Sequence, residues 1–208
     1  MGKIRKLIRN LLFLLPKINL ILIFFNQIPK KSIVNLQKIH DQYLRKNKNN
    51  TVAIDLGCGF NPQNRFEADK IYGVDLYKSK KKNILECHLG VDKLPFKDNY
   101  VDYITAYDLL EHIPRHTVKE INNPFIYLMN DVYRVLKNNG IFLTMTPIFP
   151  YPAAFKDPTH TNIISSDTFE KYFSKNKYEI ASHYGIETNF EILYQGIYGE
   201  HLVTVMKK

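Results

Sequence analysis

The sequence predicts an α/β fold: one doubly wound, mainly parallel sheet preceded by an N-terminal helical extension. Three observations carry this prediction. From about residue 50 onward, short apolar runs alternate with helical or polar segments, the pattern of strands joined by crossovers. The run Val52-Ala53-Ile54-Asp55-Leu56 is closed by two glycines, Gly57 and Gly59, which marks a buried strand and its end. A second run, Ile71-Tyr72-Gly73-Val74, ends in Asp75, twenty residues after Asp55. Two acids are thus expected where two strands finish, on the ligand side of an open α/β sheet.

The elements follow in order. Ile4, Leu7, Ile8, Leu11, Leu12 and Leu15 fall on one helical face, with Lys3, Arg5, Lys6 and Arg9 off it. Pro16 interrupts, and an apolar run resumes at residues 20–25. Residues 29–46 read as a second, polar helix and 46–50 as a linker. The expected division is therefore an extension over 1–48 and a domain over 49–208. Strands are expected near 51–56, 70–75, 84–89, 101–106 and 141–146. The stretch between Gly59 and Lys70 is too short for a full helix with its turns. Phe125, Leu128, Val132 and Val135 recur at steps of three and four, with Asn123-Pro124 as the start of a helix and Gly140 as its stop. A shorter helix is expected at 166–174. Two last strands are expected near 178–184 and 191–206, the latter bent at Gly196 or Gly199. The lysine-rich run at 78–82 reads as a solvated loop, and the chain shows no internal repeat.

The turn after the first strand narrows the ligand. Glycine there removes the Cβ that would hold a ligand away from the backbone, and an acid at the tip of the second strand suits a ribose diol. A dinucleotide site would need a third glycine at position 62, where Pro62 stands, and a long helix to receive a pyrophosphate. Asp55 would also repel a phosphate. A carboxylate beside the glycine turn suits a cofactor with a cationic end.

The stretch Asp55-Leu56-Gly57-Cys58-Gly59 resembles the first motif of class I S-adenosylmethionine-dependent methyltransferases. The resemblance extends to Leu94-Pro95-Phe96-Lys97-Asp98-Asn99-Tyr100-Val101-Asp102, to Asp108-Leu109-Leu110-Glu111-His112-Ile113 and to Val135-Leu136-Lys137-Asn138-Asn139-Gly140, together covering roughly residues 50–206. Asp157-Pro158-Thr159-His160 is similar to a segment of a type 11-like branch tied to glycan and cell-surface biosynthesis. The resemblance implies a Rossmann-like fold, S-adenosylmethionine as cofactor and cofactor contacts at Asp55, Gly57, Gly59, Asn61, Asp75, His88, Leu89 and Asp108. Asn61 stands where many members carry a third glycine, and Asn tolerates left-handed backbone, so Asn61 is expected to keep the turn. Asp108 has the alternative of capping a helix. On the acceptor side, His160 is the first candidate for contact or base, since it titrates near neutral pH. It lies in a loop restricted by Pro147, Pro150, Pro152 and Pro158. Asp157 is the second candidate, with the alternative of bracing that loop; His160 could instead fix the loop by a hydrogen bond, and His112 reads as a packing residue rather than a base.

Charge divides the chain. Residues 1–50 hold eleven Lys/Arg and one acid, +10, whereas the remainder holds 18 basic and 19 acidic residues, −1. The basic character belongs to the extension, which argues against a broad nucleic-acid surface on the domain. No uncharged run reaches the roughly 18 residues of a spanning helix. A basic amphipathic segment over residues 1–28 instead predicts contact with anionic membrane, or else a helical cap or oligomer contact. Cys58 and Cys87 make no disulfide framework and fit no zinc spacing, so no metal is expected and both are read as reduced in a cytoplasmic protein. The functional expectation is a methyltransferase acting on a small-molecule, sugar or lipid-linked glycan acceptor, peripheral at the inner membrane face. Its rivals are an RNA methyltransferase using the basic arm and a non-catalytic scaffold.

Overall fold

A computed structural model describes residues 36–43, 49–116 and 122–208. Seven strands, β1 (Val52–Leu56), β2 (Lys70–Asp75), β3 (Ile84–Glu86), β4 (Val101–Tyr107), β5 (Leu136–Pro147), β6 (Glu191–Tyr198) and β7 (His201–Lys207), form one sheet in the order β3-β2-β1-β4-β5-β7-β6. The first five run parallel, and β7 enters antiparallel between β5 and β6. From β1 the chain winds outward to β2 and β3 on one side, and then continues on the other with β4 and β5. The switch point lies between β1 and β4, where the carboxyl ends of an open sheet leave a crevice for a ligand. The α/β, Rossmann-like expectation holds.

Period-two alternation explains how the sheet is covered on both faces. Ile54, Leu56, Ile104, Phe142, Leu202 and Met206 join one apolar cluster, where helices α2 (Pro124–Val135) and α3 (Asp167–Tyr172) pack. Ala53, Tyr103, Ile141, Leu143, Val203 and Val205 join the other. On that second face no helix follows β1. Phe66 from the turn takes its place, buried and stacked on Tyr103 with ring centroids 4.6 Å apart. Asn64 holds this turn by bonding both the N–H and the carbonyl of Ala68. Helix α1 (Leu36–Tyr43) is part of the compact unit that runs from Lys31 to Lys208, its Tyr43 hydroxyl donating to the Leu193 carbonyl. The expectations for residues 1–28 lie outside the described residues.

Three expected elements are corrected. Helix α2 starts as expected, with Pro124 in its first turn and the Asn123 side chain accepting from Ile126 N–H at 3.1 Å. It ends at Val135, however, because Leu136 already pairs with Val101 at the start of β5. Gly140 marks the bulge that follows rather than a helix stop: a Cβ there would lie 2.8 Å from the Lys137 carbonyl oxygen. The strand expected near 178–184 is a 3₁₀ segment, Glu179–Tyr184, in which only Ala181 is buried, so it has no strand-like alternation to offer the sheet. The last strand is really a hairpin, β6 and β7, turning at Gly199 with φ +61°.

The segment at 94–98 is anchored from beneath. Asp131 accepts from Leu94 N–H and from Arg134 Nε, and Arg134 donates onward to the carbonyls of Leu94 and Phe96 and to Asp98. Asp102 likewise is buried under the sheet's amino end, accepting from Val52 N–H and Lys137 Nζ.

Candidate active site

The loop after β1 turns back at once. Gly57 and Gly59 both adopt left-handed backbone, φ +64° and +55°. A Cβ on Gly57 would also lie 2.9 Å from Leu109 Cδ1, so any side chain there would push into the turn after β4. Asn61 is not left-handed, contrary to expectation; two glycines suffice because the chain leaves the turn at Pro62 without forming a helix. Asn61 Oδ1 accepts instead from Lys82 Nζ at 2.7 Å, and the same ammonium donates to the Phe60 carbonyl. The lysine run read as a solvated loop thus holds the glycine loop.

The two strand-end acids play different parts. Asp55 is 5% exposed, its Oδ1 accepting from Thr105 Oγ1 at 2.6 Å and its Oδ2 from Gln63 N–H at 2.8 Å. Burial pushes its carboxyl above the ordinary value, against the pull of those two bonds. Asp55 therefore ties β1 to β4 and shapes the loop from below. Asp75 stands at the surface of the crevice. Its Oδ2 accepts from Gly59 N–H at 2.9 Å and its Oδ1 from Leu76 N–H at 2.7 Å, and each oxygen keeps a further lone pair.

A cleft of about 330 Å³ opens here, lined by Gly57, Asp75, Leu76, Cys87, His88, Leu89, Leu109, His112, Ile113 and Pro114. Of the residues expected at the cofactor, Gly57, Asp75, His88 and Leu89 meet in this wall. Asp55, Gly59 and Asn61 support the loop behind it. Asp108 does neither: it has φ +47°, caps no helix and pairs with His201 Nε2 at 3.0 Å. Leu76, Leu109 and His112 were not expected in the wall; the glycine loop's contact with Leu109 is what draws the turn after β4 into it. Cys58 and Cys87 are free, and burial raises both thiols to about 11, so neither is a thiolate nucleophile at neutral pH.

The turn after β4 is tied to the long loop after β5. Thr161 and Asn162 N–H both donate to the Glu111 carbonyl, and Asn162 Nδ2 to the Leu110 carbonyl, each at 2.9 Å. These bonds bring His160 against His112, ring centroids 4.8 Å apart at 77°. Asp157 Oδ1 accepts from Thr159 N–H at 2.8 Å and Oγ1–H at 2.7 Å, bonds that hold its carboxyl below the ordinary range. Its work in this structure is to brace the loop. Because the single hydroxyl proton of Thr159 goes to Asp157, the 3.0 Å contact between Thr159 Oγ1 and His112 Nδ1 requires the imidazole to donate. His112 is thereby fixed as the Nδ1–H tautomer, with a lone pair on Nε2.

A family model described as a methyltransferase domain matches residues 54–144. An uncharacterized protein of Methanocaldococcus jannaschii is 25% identical over 155 residues, covering 68% of this chain and 64% of that protein. The chain thus spans less than two thirds of that relative's length. In fold, the chain is similar to a SAM dependent methyltransferase from Archaeoglobus fulgidus, with TM-score 0.52 and 15% identity over 83% of this chain and 93% of that one. It is also similar to geranyl diphosphate C-methyltransferase from Streptomyces coelicolor A3(2), solved with Mg²⁺, geranyl diphosphate and S-adenosyl-L-homocysteine. That match has TM-score 0.52 and 10% identity over 82% and 77% of the two chains. The cleft suits S-adenosylmethionine in kind: a carboxylate with free lone pairs, a turn with no room for a side chain at Gly57, and an apolar wall from Leu89, Leu109 and Ile113.

Proposed function

We propose that this chain moves the methyl group of S-adenosylmethionine to a hydroxyl of a small-molecule, sugar or lipid-linked glycan acceptor at the cytoplasmic face of the membrane. The observation that carries the reading is His112: it stands in the wall of the cleft that holds Gly57 and Asp75, and His160 packs against its ring. S-adenosylmethionine, when bound, supplies a methyl group already activated on a sulfonium, so the chain's own task is to place the acceptor. Asp75 holds the ribose hydroxyls through its spare lone pairs, while Leu89 and His88 flank the base. His112, with His160 packed against it, marks the acceptor side of the cleft.

A second cavity, of about 540 Å³, begins one residue further along the chain. Pro114 lines the cleft and Arg115 lines this chamber, together with Phe125, Tyr172, Phe173 and Tyr184. It is larger than the cleft but holds neither the glycine turn nor an acid, so we assign it to the acceptor. Aromatic walls suit the apolar face of a sugar or a lipid chain, and a guanidinium suits an anionic group beside it. The +10 charge of residues 1–50 supports placement on anionic lipid. Among the described residues no helix is long and apolar enough to cross a membrane.

The test is His160→Ala, assayed for methyl transfer from labelled S-adenosylmethionine and, separately, for cofactor affinity. Turnover is expected to fall at least tenfold with affinity unchanged. An equal fall in both would make His160 a structural residue and remove the acceptor-side reading.

A further inference from the structure

Two buried polar atoms beside the cleft have no partner: Glu111 Oε1 and His160 Nδ1. Glu111 is 2% exposed, and its other oxygen, Oε2, accepts from Thr146 Oγ1 at 2.8 Å. The His160 side chain is 7% exposed. A buried polar atom left without a partner is destabilising, and more so on a charged group. Two such atoms, on two residues of one cluster, point to something that satisfies both. Glu111, His112 and His160 each present a ligand atom, and these atoms all lie within 4.8 Å of one another.

We propose that Glu111, His112 and His160 bind a divalent transition-metal ion. The donor set is one carboxylate and two imidazoles, which suits Zn²⁺, Mn²⁺ or Fe²⁺ rather than the all-oxygen surroundings of Mg²⁺ or Ca²⁺. Each ligand is prepared in its own way. Glu111 Oε1 is the free oxygen of a carboxyl whose orientation Thr146 fixes. His112 is locked as the Nδ1–H tautomer by the Asp157–Thr159 pair, so Nε2 carries the lone pair. This is the outer-shell arrangement that orients a ligating imidazole. His160 Nδ1 is buried and unpaired. A tetrahedral ion with ligands at about 2.1 Å holds its donors roughly 3.4 Å apart, so side-chain rotations of roughly 1 Å close the triangle. Three protein ligands leave a position open for water or an acceptor oxygen, as catalytic rather than structural sites do.

The proposal gives the methyl-transfer reading a mechanism and rests on it only for the role of the open position. There the acceptor hydroxyl binds through its oxygen, and the ion lowers its pKa. The hydroxyl proton leaves to water, the oxygen forms its bond to the methyl carbon, and the carbon–sulfur bond breaks with its electron pair going to sulfur. No electron is exchanged with the metal.

Binding of the ion is tested apart from turnover. The full chain, stripped with chelator, is titrated with Co²⁺ and followed by its visible absorption, then back-titrated with Zn²⁺. One Co²⁺ per chain is expected, displaced by one Zn²⁺. Glu111→Gln keeps the side chain's size and its contact with Thr146, and is expected to weaken binding at least tenfold, as is His160→Ala. Thr159→Val, which removes the outer-shell partner of His112, is expected to weaken it 10- to 100-fold. A Cys58→Ser/Cys87→Ser variant is expected to bind as the parent does, and circular dichroism confirms that each variant is folded. Absence of stoichiometric binding to the parent chain, or binding unchanged in Glu111→Gln and His160→Ala, overturns the proposal. S-adenosylhomocysteine affinity is measured on the same samples. Loss of that affinity with the ion still bound would defeat the methyl-transfer reading and leave the metal site standing.

Discussion

Replacing Asp75 with Ala tests the cofactor half of the site. Its two oxygens hold Gly59 and Leu76 N–H at 2.9 and 2.7 Å, and their remaining lone pairs are the ones available to a ribose diol. A hydrogen bond to a charged acceptor contributes about 1.5–3 kcal/mol, and the variant loses the ligand bonds together with the restraint on Gly59. The Gly59 and Leu76 amides are near solvent, so water replaces the lost acceptor and little stability is forfeited. The expected result is about 2 kcal/mol of lost affinity, a roughly 30-fold rise in the dissociation constant of S-adenosylmethionine. Isothermal titration calorimetry reads it directly, with thermal unfolding as the control. A dissociation constant within about threefold of the parent's would refute the assignment of Asp75 to the ribose, because even one charge-assisted bond is worth more than that.

The other predictions act at separate places. Asp55→Asn should flatten the pH dependence of the melting temperature. Burial raises the Asp55 pKa in the fold, so the folded state holds this proton more tightly than the unfolded chain. The parent should then lose stability relative to the variant as pH climbs from the ordinary 3.8 through the raised value. A pH profile unchanged in the variant would refute that. Arg134→Ala strands Asp131, which is 7% exposed, and frees residues 94–98; about 3–5 kcal/mol of stability should be lost, measured by denaturant unfolding. Deleting residues 1–28 should abolish co-sedimentation with anionic liposomes while leaving neutral liposomes unbound by either form. Equal binding by both forms, or none by either, would assign that segment to a cap or an oligomer contact.

Much of the fold was legible because it depends on local patterning. Continuous apolar runs such as 52–56 and 101–106 became parallel strands buried on both faces, and the glycine turn after β1 stands where two close glycines required a turn. Two of the misreadings share one cause, pairing partners remote in sequence. Helix α2 carries an unbroken apolar period to Val135, and nothing nearby says that Leu136 will be claimed by Val101. Residues 178–184 have strand-like composition, but β7 already fills the sheet position beside β5, and the segment curls into a 3₁₀ turn against α3 instead. At the site, Asp75 could be placed in the cleft wall from its position at the end of β2, and His88 and Leu89 from the resemblance of the motifs around them. The part played by Lys82 could not, since it arises from a contact 21 residues away.

The division of labour at the site follows the winding of the sheet. One flank of the switch point, from the ends of β1, β2 and β3, supplies Gly57, Asp75, His88 and Leu89, all of which line the cleft. The other, from the ends of β4 and β5, supplies Glu111, His112 and His160. Those three residues meet because Glu111 lends its backbone carbonyl to Thr161 and Asn162, which pulls the β5 loop over the β4 turn. The two halves share one wall at Leu109 and His112. A substitution at Asp75 should therefore leave metal affinity intact, and one at Thr159 should leave cofactor affinity intact. Only a change at the shared wall should move both. A larger side chain at Gly57, driven into Leu109, is the case in which the two affinities are expected to fall together.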